Sequence, residues 1–467
     1  MTSLSMTIDG LPVTTTAGLA VENPADGRIF ATAPACSPEQ LDTAVAAARR
    51  AFPAWSALSH EARRGYLEAC AKALGAAVPE IGALLTREQG KPLTKALAEV
   101  QLSAGWFSDT AGLELAEEDL GDEHAAIRLR RRPYGVVGAI TPWNFPLILA
   151  VCKIAPALLA GNTVVLKPAP ETPLSSLLMG AVLCDALPPG VLNVVTGAGR
   201  VGRLLVEHGG VDKISFTGSV ATGTAIAEAT ARRLQRPTLE LGGNDAAIIL
   251  ADAPIAEIAH RLFWAAFENS GQYCSAVKRV YAHRAVYPEV VAALVHEAEK
   301  VTVGDGIDPD TELGPLVSEH HLAYVAGFAE EAVAGGATVA TGGYRLDRPG
   351  HFYAPTIVTD LAAGSRLEML EQFGPVLPIM PYDDVDDAVT RANATCFGLG
   401  GSVWGARDSA AAVAAELDCG TVWVNTHGEL RHNVPFGGVR SSGAGVEYGY
   451  LGLLEYTRVK VTFMRSA

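Results

Sequence analysis

The sequence predicts an α/β protein built around a doubly wound parallel sheet, and two observations carry that prediction. From about residue 135 to residue 250, short β-rich runs alternate with stretches rich in alanine and leucine, which is typical of repeated strand-helix units. The β-rich runs are continuously apolar, so we expect helices to cover both faces of the sheet. The runs are GVVGAIT, NTVVLKP, VLNVVTG, DKISFTG and AAIIL. Ligands of such a sheet bind at the carboxyl ends of its strands.

The helices follow from the same pattern. Two segments before the first strand, LDTAVAAARRAFPAW and HEARRGYLEACAKALGA, have helical periodicity. Two apolar segments between strands, PLILAVCKIAPALLAG and PLSSLLMGAVLCDAL, are the expected covering helices. A second α/β series runs from about 250 to 425, where DDAVTRANATCFGLGGSVWG predicts a helix, a turn and a strand. The chain therefore has a second α/β domain.

Two stretches interrupt this organisation. Residues 114–135 form a charged, poorly helical insertion, and the tail LEYTRVKVTFMRSA alternates polar and apolar residues as an exposed strand does. An unpaired edge strand at a terminus needs a partner, and another subunit can supply one. A frayed tail is the alternative.

Composition excludes several classes of function. The 467 residues are 49% hydrophobic and 19% charged, which is enough for a large core in two or three domains. A net charge of −15 opposes binding to nucleic acid and to anionic membranes. The start, MTSLSMTIDG, lacks the pattern of a signal peptide, and no apolar run reaches the ~20 residues that span a bilayer. We expect a soluble cytoplasmic protein that binds neither nucleic acid nor membranes.

The seven cysteines contain no Cys-x-x-Cys pair, so neither a disulfide framework nor a zinc or other metal site is expected. One of them, Cys274, follows a Ser-Gly-Gln-Tyr turn signal and precedes Lys278 and Arg279. It could be a small core residue, a metal ligand or a nucleophile. A papain-like hydrolase would need a partner histidine, and none of the 11 histidines lies in a recognisable motif.

Two glycine turns are candidate phosphate sites. TGAGRVG at 196–202 follows a strand and fits G-x-G-x-x-G, although the acidic residue expected about 20 positions later is missing. FTGSVATG at 216–223 also joins a strand to a helix and adds the hydroxyl of Ser219. A helix N-terminus with a capping serine suits a phosphate equally well. Either turn alone is also explained by backbone geometry.

Two further residues follow strands at positions that suit catalysis. Asn144, between two prolines in TPWNFPL, is a restrained donor for a developing oxyanion. Glu240 ends a strand before the Gly-Gly turn of LELGGNDAAII, where a carboxylate can face a cleft. A rigid turn and a solvated charge are the respective structural alternatives.

Together these motifs form one ordered set, and on that set the chain resembles the NAD(P)-dependent aldehyde dehydrogenase superfamily over nearly its full length. The matching segments are ITPWNFP, VVLKPAPETP, VVTGAG, SFTGSVATG, ELGGND, FENSGQYCSAVKR, EQFGPVLP and VPFGGVRSSGAGVEYGYLGLLEYT. The resemblance implies that Cys274 attacks an aldehyde carbonyl while Asn144 and the backbone N–H of Cys274 hold the oxyanion. It also implies that Glu240 activates the water that hydrolyses the resulting thioester to a carboxylic acid. A coenzyme A-acylating dehydrogenase and a catalytically silent relative are the alternatives.

The resemblance further implies a cofactor groove for NAD, with NADP as the alternative. Lys167 would bind the adenosine ribose, Ser219 the pyrophosphate, and Glu371 with Phe373 the nicotinamide ribose and ring. On this interpretation the phosphates sit at 216–223. The remaining groove residues are Ile140, Trp143, Gly199 and Phe216.

Two departures from the family pattern affect these expectations. Pro170 replaces a glutamate that NAD-preferring relatives carry three positions after the lysine, with Glu171 beside it. That loss removes both an attraction for the 2′-hydroxyl and a repulsion against a 2′-phosphate. Arg440 replaces a lysine and keeps its charge, which affects structure more than chemistry.

For the substrate, the resemblance implies a tunnel lined by Phe145, Leu149, Cys152 and Tyr273, together with Trp106. Those walls suit an apolar or aromatic aldehyde. The segment THGELRH at 426–432 offers His427, Arg431 and His432, which could instead recognise a carboxylated aldehyde or merely form a solvated mouth.

Matching to the family also gives domain boundaries and an assembly. Residues 1–114, 134–242 and 440–455 would form a dinucleotide-binding domain, and residues 243–439 a catalytic domain. A small β arm of residues 115–133 and 456–467 would mediate oligomerisation, which implies a homodimer or homotetramer.

Overall fold

The predicted fold class is confirmed by a computed structural model, which describes residues 4–465. Two mostly parallel sheets lie between helices, and two small antiparallel sheets accompany them. The described strands are β1 (Met6–Ile8), β2 (Leu11–Val13), β3 (Gly18–Asn23), β4 (Arg28–Pro34), β5 (Glu118–Asp119), β6 (Ala125–Pro133), β7 (Val136–Ile140), β8 (Thr163–Lys167), β9 (Leu192–Val194), β10 (Lys213–Thr217), β11 (Thr238–Glu240), β12 (Asp245–Ile249), β13 (Val277–His283), β14 (Thr338–Thr341), β15 (Thr356–Thr359), β16 (Val376–Tyr382), β17 (Gly400–Trp404), β18 (Thr421–Val424), β19 (Gly443–Ala444) and β20 (Thr457–Arg465).

Where the sequence predicted a helix, the helix begins and ends close to the predicted segment. The described helices are α1 (Pro38–Ala57), α2 (His60–Ala76), α3 (Val78–Gln89), α4 (Leu93–Ala111), α5 (Pro146–Leu159), α6 (Pro173–Cys184), α7 (Gly199–Glu207), α8 (Val220–Ala231), α9 (Ile255–Phe267), α10 (Tyr287–Lys300), α11 (Glu319–Ala334), α12 (Arg366–Met369), α13 (Val385–Asn393), α14 (Arg407–Ala414) and α15 (Gly449–Leu454). Single 3₁₀ turns cover Glu268–Gly271 and Arg440–Ser442. No single helix of residues 4–465 is long and apolar enough to cross a bilayer, and only the bent pair α2 and α3 passes that test when joined.

The first large sheet has the order β19-β11-β10-β7-β8-β9-β1-β2. Its central strands β11, β10, β7, β8 and β9 run parallel, and every residue of β7, β8 and β10 is buried. Helix α5 is buried along its whole length, which explains why its sequence is apolar on all sides instead of amphipathic. The carboxyl ends of β7, β8, β10 and β11 therefore open along one edge.

The second large sheet has the order β14-β15-β16-β13-β12-β17-β18 and is parallel except for β14. It contains β12, the segment AAIIL, which the sequence pattern grouped with the strands of the first series. That grouping is wrong, because β12 pairs with β13 and β17. Buried parallel strands have the same apolar composition in both sheets, so composition could not separate them.

The insertion and the tail pair with each other in a three-stranded sheet of order β20-β6-β5. β20 runs antiparallel to β6 from the Thr457↔Pro133 pair to the Arg465↔Ala125 pair. The expectation that these segments lack a partner within one chain is therefore wrong: each supplies the other's backbone hydrogen bonds. Residues 466 and 467 of the predicted arm lie outside the described residues.

Candidate active site

Three elements bring the predicted catalytic side chains together. Asn144 follows β7 and stands just before α5, Glu240 is the last residue of β11, and Cys274 lies on the loop between the 3₁₀ turn and β13. All three line one cavity of about 730 Å³. The Gly-Gly turn after Glu240 leads directly into β12 of the second sheet, so the cavity lies where the two large sheets meet.

The loop before Cys274 has an unusual backbone. Asn269, Ser270 and Gly271 have φ values of 52°, 57° and 70°, so three successive residues occupy the left-handed region. A Cβ on Gly271 would lie 2.4 Å from the carbonyl oxygen of Gly374, so glycine is required for packing as well as for φ. Left-handed non-glycine residues cost about 1–3 kcal/mol each and persist where the surroundings enforce them.

Side chains on this loop bind the neighbouring backbone. Ser270 Oγ donates to the carbonyl of Gly314 at 2.7 Å. Gln272 Oε1 accepts from the backbone N–H of Val317 at 2.9 Å, and its Nε2 donates to the carbonyl of Asn269 at 3.0 Å. These bonds fix the approach of the chain to Cys274.

Asn144 is buried and joined to the same loop. Its Nδ2 donates to the carbonyl of Gln272 at 3.1 Å, and its own carbonyl accepts from Asn269 Nδ2 at 3.2 Å. An amide nitrogen carries two protons, so one N–H of Asn144 remains for an oxygen in the cavity. Asn144 and the Cys274 loop therefore hold each other in place.

The surroundings of Cys274 disfavour its charged form. Burial raises the pKa of the thiol well above its ordinary value, and the carboxyl groups of Glu371, Glu240 and Asp245 raise it further. The two cations that follow it in the sequence are bound to other groups: Lys278 Nζ donates to the carbonyl of Gly271, and Arg279 is bound to backbone carbonyls and Tyr281. The thiol therefore needs a base before it can attack a carbonyl.

Glu240 lies beside a second buried ionic group. It is 5% exposed, and its Oε1 has no hydrogen-bond partner among the described residues. Burial raises the pKa of Glu240 well above its ordinary value; Glu447 adds to that shift and Lys153 opposes it. Lys153 Nζ binds Glu447 Oε1 and donates to Thr217 Oγ1 at 2.7 Å. Glu447 was not singled out from the sequence, although it lies in VEYG, within the last of the matching segments.

The cavity wall is largely aromatic and aliphatic. Phe145, Leu149 and Tyr273 line it as expected, and so do Trp106, Trp264 and Tyr448. Tyr448 was not singled out from the sequence, although it lies in the same VEYG segment. Its ring contacts Trp106 edge-on with centroids 4.9 Å apart, and its φ of 65° places a non-glycine residue in strained backbone.

Of four residues expected in the tunnel or at its mouth, His427 lines the cavity, whereas Cys152, Arg431 and His432 do not. Cys152 is 2% exposed and does not line the cavity. The side chain of His427 is fully buried, with Nε2 2.8 Å from the carbonyl of Ser275. His432 pairs with Asp109 at 3.2 Å, and neither His432 nor Arg431 lines the cavity.

The predicted cofactor residues lie along the carboxyl ends of the first sheet. Ile140 and Lys167 end β7 and β8, Phe216 lies next to the last residue of β10, and Ser219 caps α8. Lys167 is buried, and within residues 4–465 its ammonium group donates to the carbonyl of Pro168 at 2.7 Å. Since an ammonium group has three donors, Lys167 fits the hydroxyls of a nucleotide ribose.

Both glycine turns lead into a helix. Gly199 is the first residue of α7, whose N-cap Ala198 makes no side-chain hydrogen bond. Ser219 Oγ accepts from the N–H of Thr222 at 3.3 Å in the first turn of α8. Backbone N–H groups at helix N-termini suit phosphates at either position.

Trp143 and Phe373 form the far end of this groove. Their ring centroids are 5.5 Å apart, and Phe373 has a φ of 47°. Glu371 Oε1 accepts from the N–H of Gly243 at 3.1 Å, and a Cβ on Gly242 would lie 2.2 Å from Glu371 Oε2. Burial raises the pKa of Glu371 to about 7. A flat ring and a ribose fit this aromatic and carboxylate-lined end of the groove.

The side chain of Arg440 contacts the backbone of neighbouring loops. Its guanidinium donates to the backbone carbonyls of Asn393, Thr395 and Asp418, each at 2.8 Å. It does not line the active-site cavity. The exchange of lysine for arginine therefore falls on a contact that ties loops together.

Comparison with known proteins agrees with this geometry. The model of the aldehyde dehydrogenase family matches residues 13–462. The chain belongs to the aldehyde dehydrogenase family. It is an NAD(P)-dependent enzyme that oxidises aldehydes, so the predicted family, the enzyme class and the oxidation of an aldehyde are confirmed.

Several relatives of this aldehyde dehydrogenase span almost its whole length. A phenylacetaldehyde dehydrogenase of Pseudomonas fluorescens is 40% identical over 95% of this chain and 91% of its own. A mitochondrial aldehyde dehydrogenase of Leishmania tarentolae is 39% identical over 96% and 91%. The NAD⁺ complex of an aldehyde dehydrogenase from Bacillus cereus superposes with a TM-score of 0.97 at 36% identity, covering 100% of this chain and 97% of that one.

Proposed function

We propose that this aldehyde dehydrogenase oxidises apolar aldehydes to free carboxylic acids through a covalent thioester on Cys274. The observation that carries the proposal is the convergence of Cys274, Asn144 and Glu240 on one apolar-walled cavity. A nucleophile, an oxyanion donor and a base are the three groups that this acyl chemistry needs.

The first step is attack by Cys274. Its Sγ bonds to the aldehyde carbon, the thiol proton passes to a base, and the carbonyl oxygen becomes an oxyanion. The free N–H of Asn144 and the backbone N–H of Cys274 donate to that oxygen. When bound, the nicotinamide supplies the oxidising power by accepting a hydride from the substrate carbon. The acyl group then remains on Cys274 as a thioester.

Glu240 carries the second step. Its carboxylate takes a proton from water, the hydroxide oxygen bonds to the acyl carbon, and the Cys274 thiolate leaves with the carboxylic acid as product. Burial raises the pKa of Glu240, which makes the ionised carboxylate a stronger proton acceptor. The buried Lys153–Glu447 pair lies beside it; Glu447 adds to the rise in pKa and Lys153 opposes it. This arrangement supports hydrolysis over acyl transfer to coenzyme A.

For the cofactor, we propose that NAD is preferred to NADP and that the phosphates bind at 216–223. Lys167 would hold the ribose hydroxyls, Ser219 the pyrophosphate, and Glu371 with Phe373 the nicotinamide end. Glu171 is exposed, and its charge interacts with that of Lys167. In this proposal the Glu171 carboxylate therefore repels a 2′-phosphate bound beside Lys167 and lowers the affinity for NADP. Gly199 would lie beside the adenine, because a Cβ at that position would meet open space.

For the substrate, we propose an aromatic or extended aliphatic aldehyde. The wall residues Trp106, Phe145 and Tyr448 offer apolar surface. Two charged lining residues, Lys95 and Glu268, pair with each other at 3.0 Å, and a third, Arg261, lies 5.9 Å from the ring centre of Trp404. His432 is paired with Asp109, and Nε2 of His427, which lines the cavity, is bound to the carbonyl of Ser275. This pattern favours an apolar substrate over a semialdehyde that bears a carboxylate.

The assembly and location are also proposals. We propose a cytoplasmic homodimer or homotetramer joined through the β20-β6-β5 sheet. Alternate residues of β20 are apolar and exposed, with Val459 at 53%, Val461 at 52% and Phe463 at 66%, and an exposed apolar edge strand needs a cover. The first large sheet supports a dinucleotide-binding domain of residues 1–114, 134–242 and 440–455, because β19 joins it; residues 243–439 would form the catalytic domain.

The function is tested by product analysis. The purified enzyme is given NAD⁺ and a panel of aromatic, aliphatic and carboxylated aldehydes, with and without coenzyme A. We expect reduced nicotinamide and a free carboxylic acid in equal amounts, with the highest kcat/KM for apolar aldehydes. An acyl-coenzyme A product, or strict dependence on coenzyme A, would contradict the proposal.

A further inference from the structure

We infer that a buried ion pair, Lys91 with Glu99, is a positioning device for the oxyanion donor Asn144. The inference rests on the proposed oxyanion role of Asn144. Lys91 lies on the connection between α3 and α4, and Glu99 lies on α4. Neither side chain lines the cavity that holds Cys274, so both would act through Asn144.

The pair is almost fully excluded from solvent. Lys91 Nζ lies 2.6 Å from Glu99 Oε2, and the two side chains are 2% and 3% exposed. A buried ion pair of this kind adds little net stability compared with well-packed apolar residues, because both charges lose their hydration. The other contacts of the two charged groups show which part of the backbone they hold.

The remaining groups of the pair bind both sides of Asn144. Lys91 Nζ donates to the carbonyl of Asn144 at 2.8 Å and lies 3.8 Å from the ring centre of Phe145. Glu99 Oε1 accepts from the backbone N–H groups of Leu147 at 3.0 Å and Ile148 at 3.4 Å. The pair therefore forms hydrogen bonds with the backbone immediately before and after the start of α5.

Helix α5 lacks a cap of its own. Its N-cap residue, Phe145, makes no side-chain hydrogen bond, so the first N–H groups of the helix need an acceptor from elsewhere. The Glu99 carboxylate supplies that acceptor and also places negative charge at the positive end of the helix dipole. Asn144 is thus fixed between a cation on its carbonyl and an anion on the following turn.

The connection that carries Lys91 is itself held in place. The N–H of Leu93 donates to the carbonyl of Gly306 at 2.8 Å, and the N–H of Lys91 donates to Gln89 Oε1 at 2.9 Å. A displacement of a reacting group by about 1 Å can cost about 10²-fold in rate. Loss of the Lys91 contact would leave the Asn144 carbonyl with the longer 3.2 Å hydrogen bond from Asn269 Nδ2 and let the side-chain amide drift from the oxyanion.

The test uses the neutral pair Lys91→Met with Glu99→Gln. The Glu99→Gln change keeps a side-chain oxygen for the N–H groups of Leu147 and Ile148, while the double variant contains no unpaired buried charge. We expect this variant to fold, to bind reduced nicotinamide with an unchanged Kd by fluorescence, and to show a burst of cofactor reduction slowed about 10- to 100-fold. Lys213→Met with Glu455→Gln is the matched control, since Lys213 is also buried and paired, with Glu455 at 3.5 Å, but does not contact Asn144.

A cycle with Asn144→Ala separates positioning from general damage. Asn144→Ala alone should slow the burst about 10²- to 10³-fold, the usual effect of removing an oxyanion donor. Adding Lys91→Met and Glu99→Gln to Asn144→Ala should then slow it by less than about twofold, because the group to be positioned is gone. An equal slowing in both backgrounds, or a wild-type burst in the double variant, would overturn the inference. A wild-type burst in Asn144→Ala would instead reject the oxyanion role itself.

Discussion

Asp245 provides a pH-dependent test of the site's electrostatics. It is 1% exposed, its Oδ1 accepts from the N–H of Gly400 at 3.0 Å, and its Oδ2 has no hydrogen-bond partner among the described residues. The pKa of Asp245 is raised from 3.8 to about 8, chiefly by burial and also by Glu371, against the opposing effects of the Gly400 hydrogen bond, Arg279 and Lys278. His427, 3.6 Å from Oδ2, gives no compensating charge near neutral pH, because burial lowers its pKa to about 4.

The sign of the effect follows from proton linkage. Between pH 3.8 and about 8, Asp245 is protonated in the folded state and ionised in the unfolded state, so stability falls as pH rises. Each pKa unit corresponds to about 1.4 kcal/mol. Between about pH 5 and pH 8 the free energy of unfolding of the wild type therefore falls by at most about 4 kcal/mol, and this cost is an upper limit that local relaxation reduces. Asp245→Asn keeps an oxygen for Gly400 and removes this cost.

The assay is urea unfolding of wild type and Asp245→Asn at several pH values. We expect Asp245→Asn to gain stability relative to wild type by several kcal/mol between about pH 5 and pH 8, with little difference below about pH 4. Asp347→Asn, at an exposed position, should follow wild type at every pH. Parallel curves for wild type and Asp245→Asn would refute the conclusion that Asp245 is buried in its neutral form.

Three further predictions concern the cofactor, the thiol and the assembly. The kcat/KM for NAD⁺ should exceed that for NADP⁺ because Glu171 opposes a 2′-phosphate; a tenfold advantage for NADP⁺ in initial rates would contradict this. The rate of the burst should rise from about pH 6 to pH 9, because burial raises the pKa of Cys274 and the thiol must lose its proton in the attack; a flat stopped-flow profile would count against it. Wild type should sediment as a dimer or tetramer at micromolar concentration, and Val461→Lys on the exposed face of β20 should shift it towards monomer; a wild-type monomer would exclude the proposed interface.

Local sequence patterns predicted the elements well but not their long-range pairing. The continuous apolar runs of β7, β8 and β10 are visible in the sequence because both faces of those strands are buried. The same property hides which sheet a run joins, and β12 was misplaced for that reason. Pairing of β6 with β20 joins residues more than 300 positions apart along the printed sequence, and no local signal reports it.

In the active site, too, local motifs could be predicted from the sequence, whereas long-range contacts could not. Cys274, Asn144 and Glu240 could be selected from ordered motifs, and the structure brings them to one cavity. Other contacts join segments that are far apart in the sequence. Examples are the contact of His427 with the carbonyl of Ser275 and the hydrogen bond from Lys91 to the carbonyl of Asn144. Charge and residue type alone made His427 a candidate for substrate recognition; in the structure it lines the cavity while its Nε2 contacts the carbonyl of Ser275.

Glu240→Gln tests the central claim, the covalent thioester on Cys274, most directly. The variant keeps the side chain's size but cannot accept a proton, so hydrolysis should slow about 10²- to 10⁴-fold while acylation continues. Mixed with aldehyde and saturating NAD⁺, it should release nearly one reduced nicotinamide per active site, turn over very slowly afterwards, and carry the acyl mass on Cys274. Cys274→Ser should show neither burst nor adduct. Full steady-state turnover by Glu240→Gln without an adduct would contradict the account, and loss of the burst would mean that Glu240 also deprotonates the thiol.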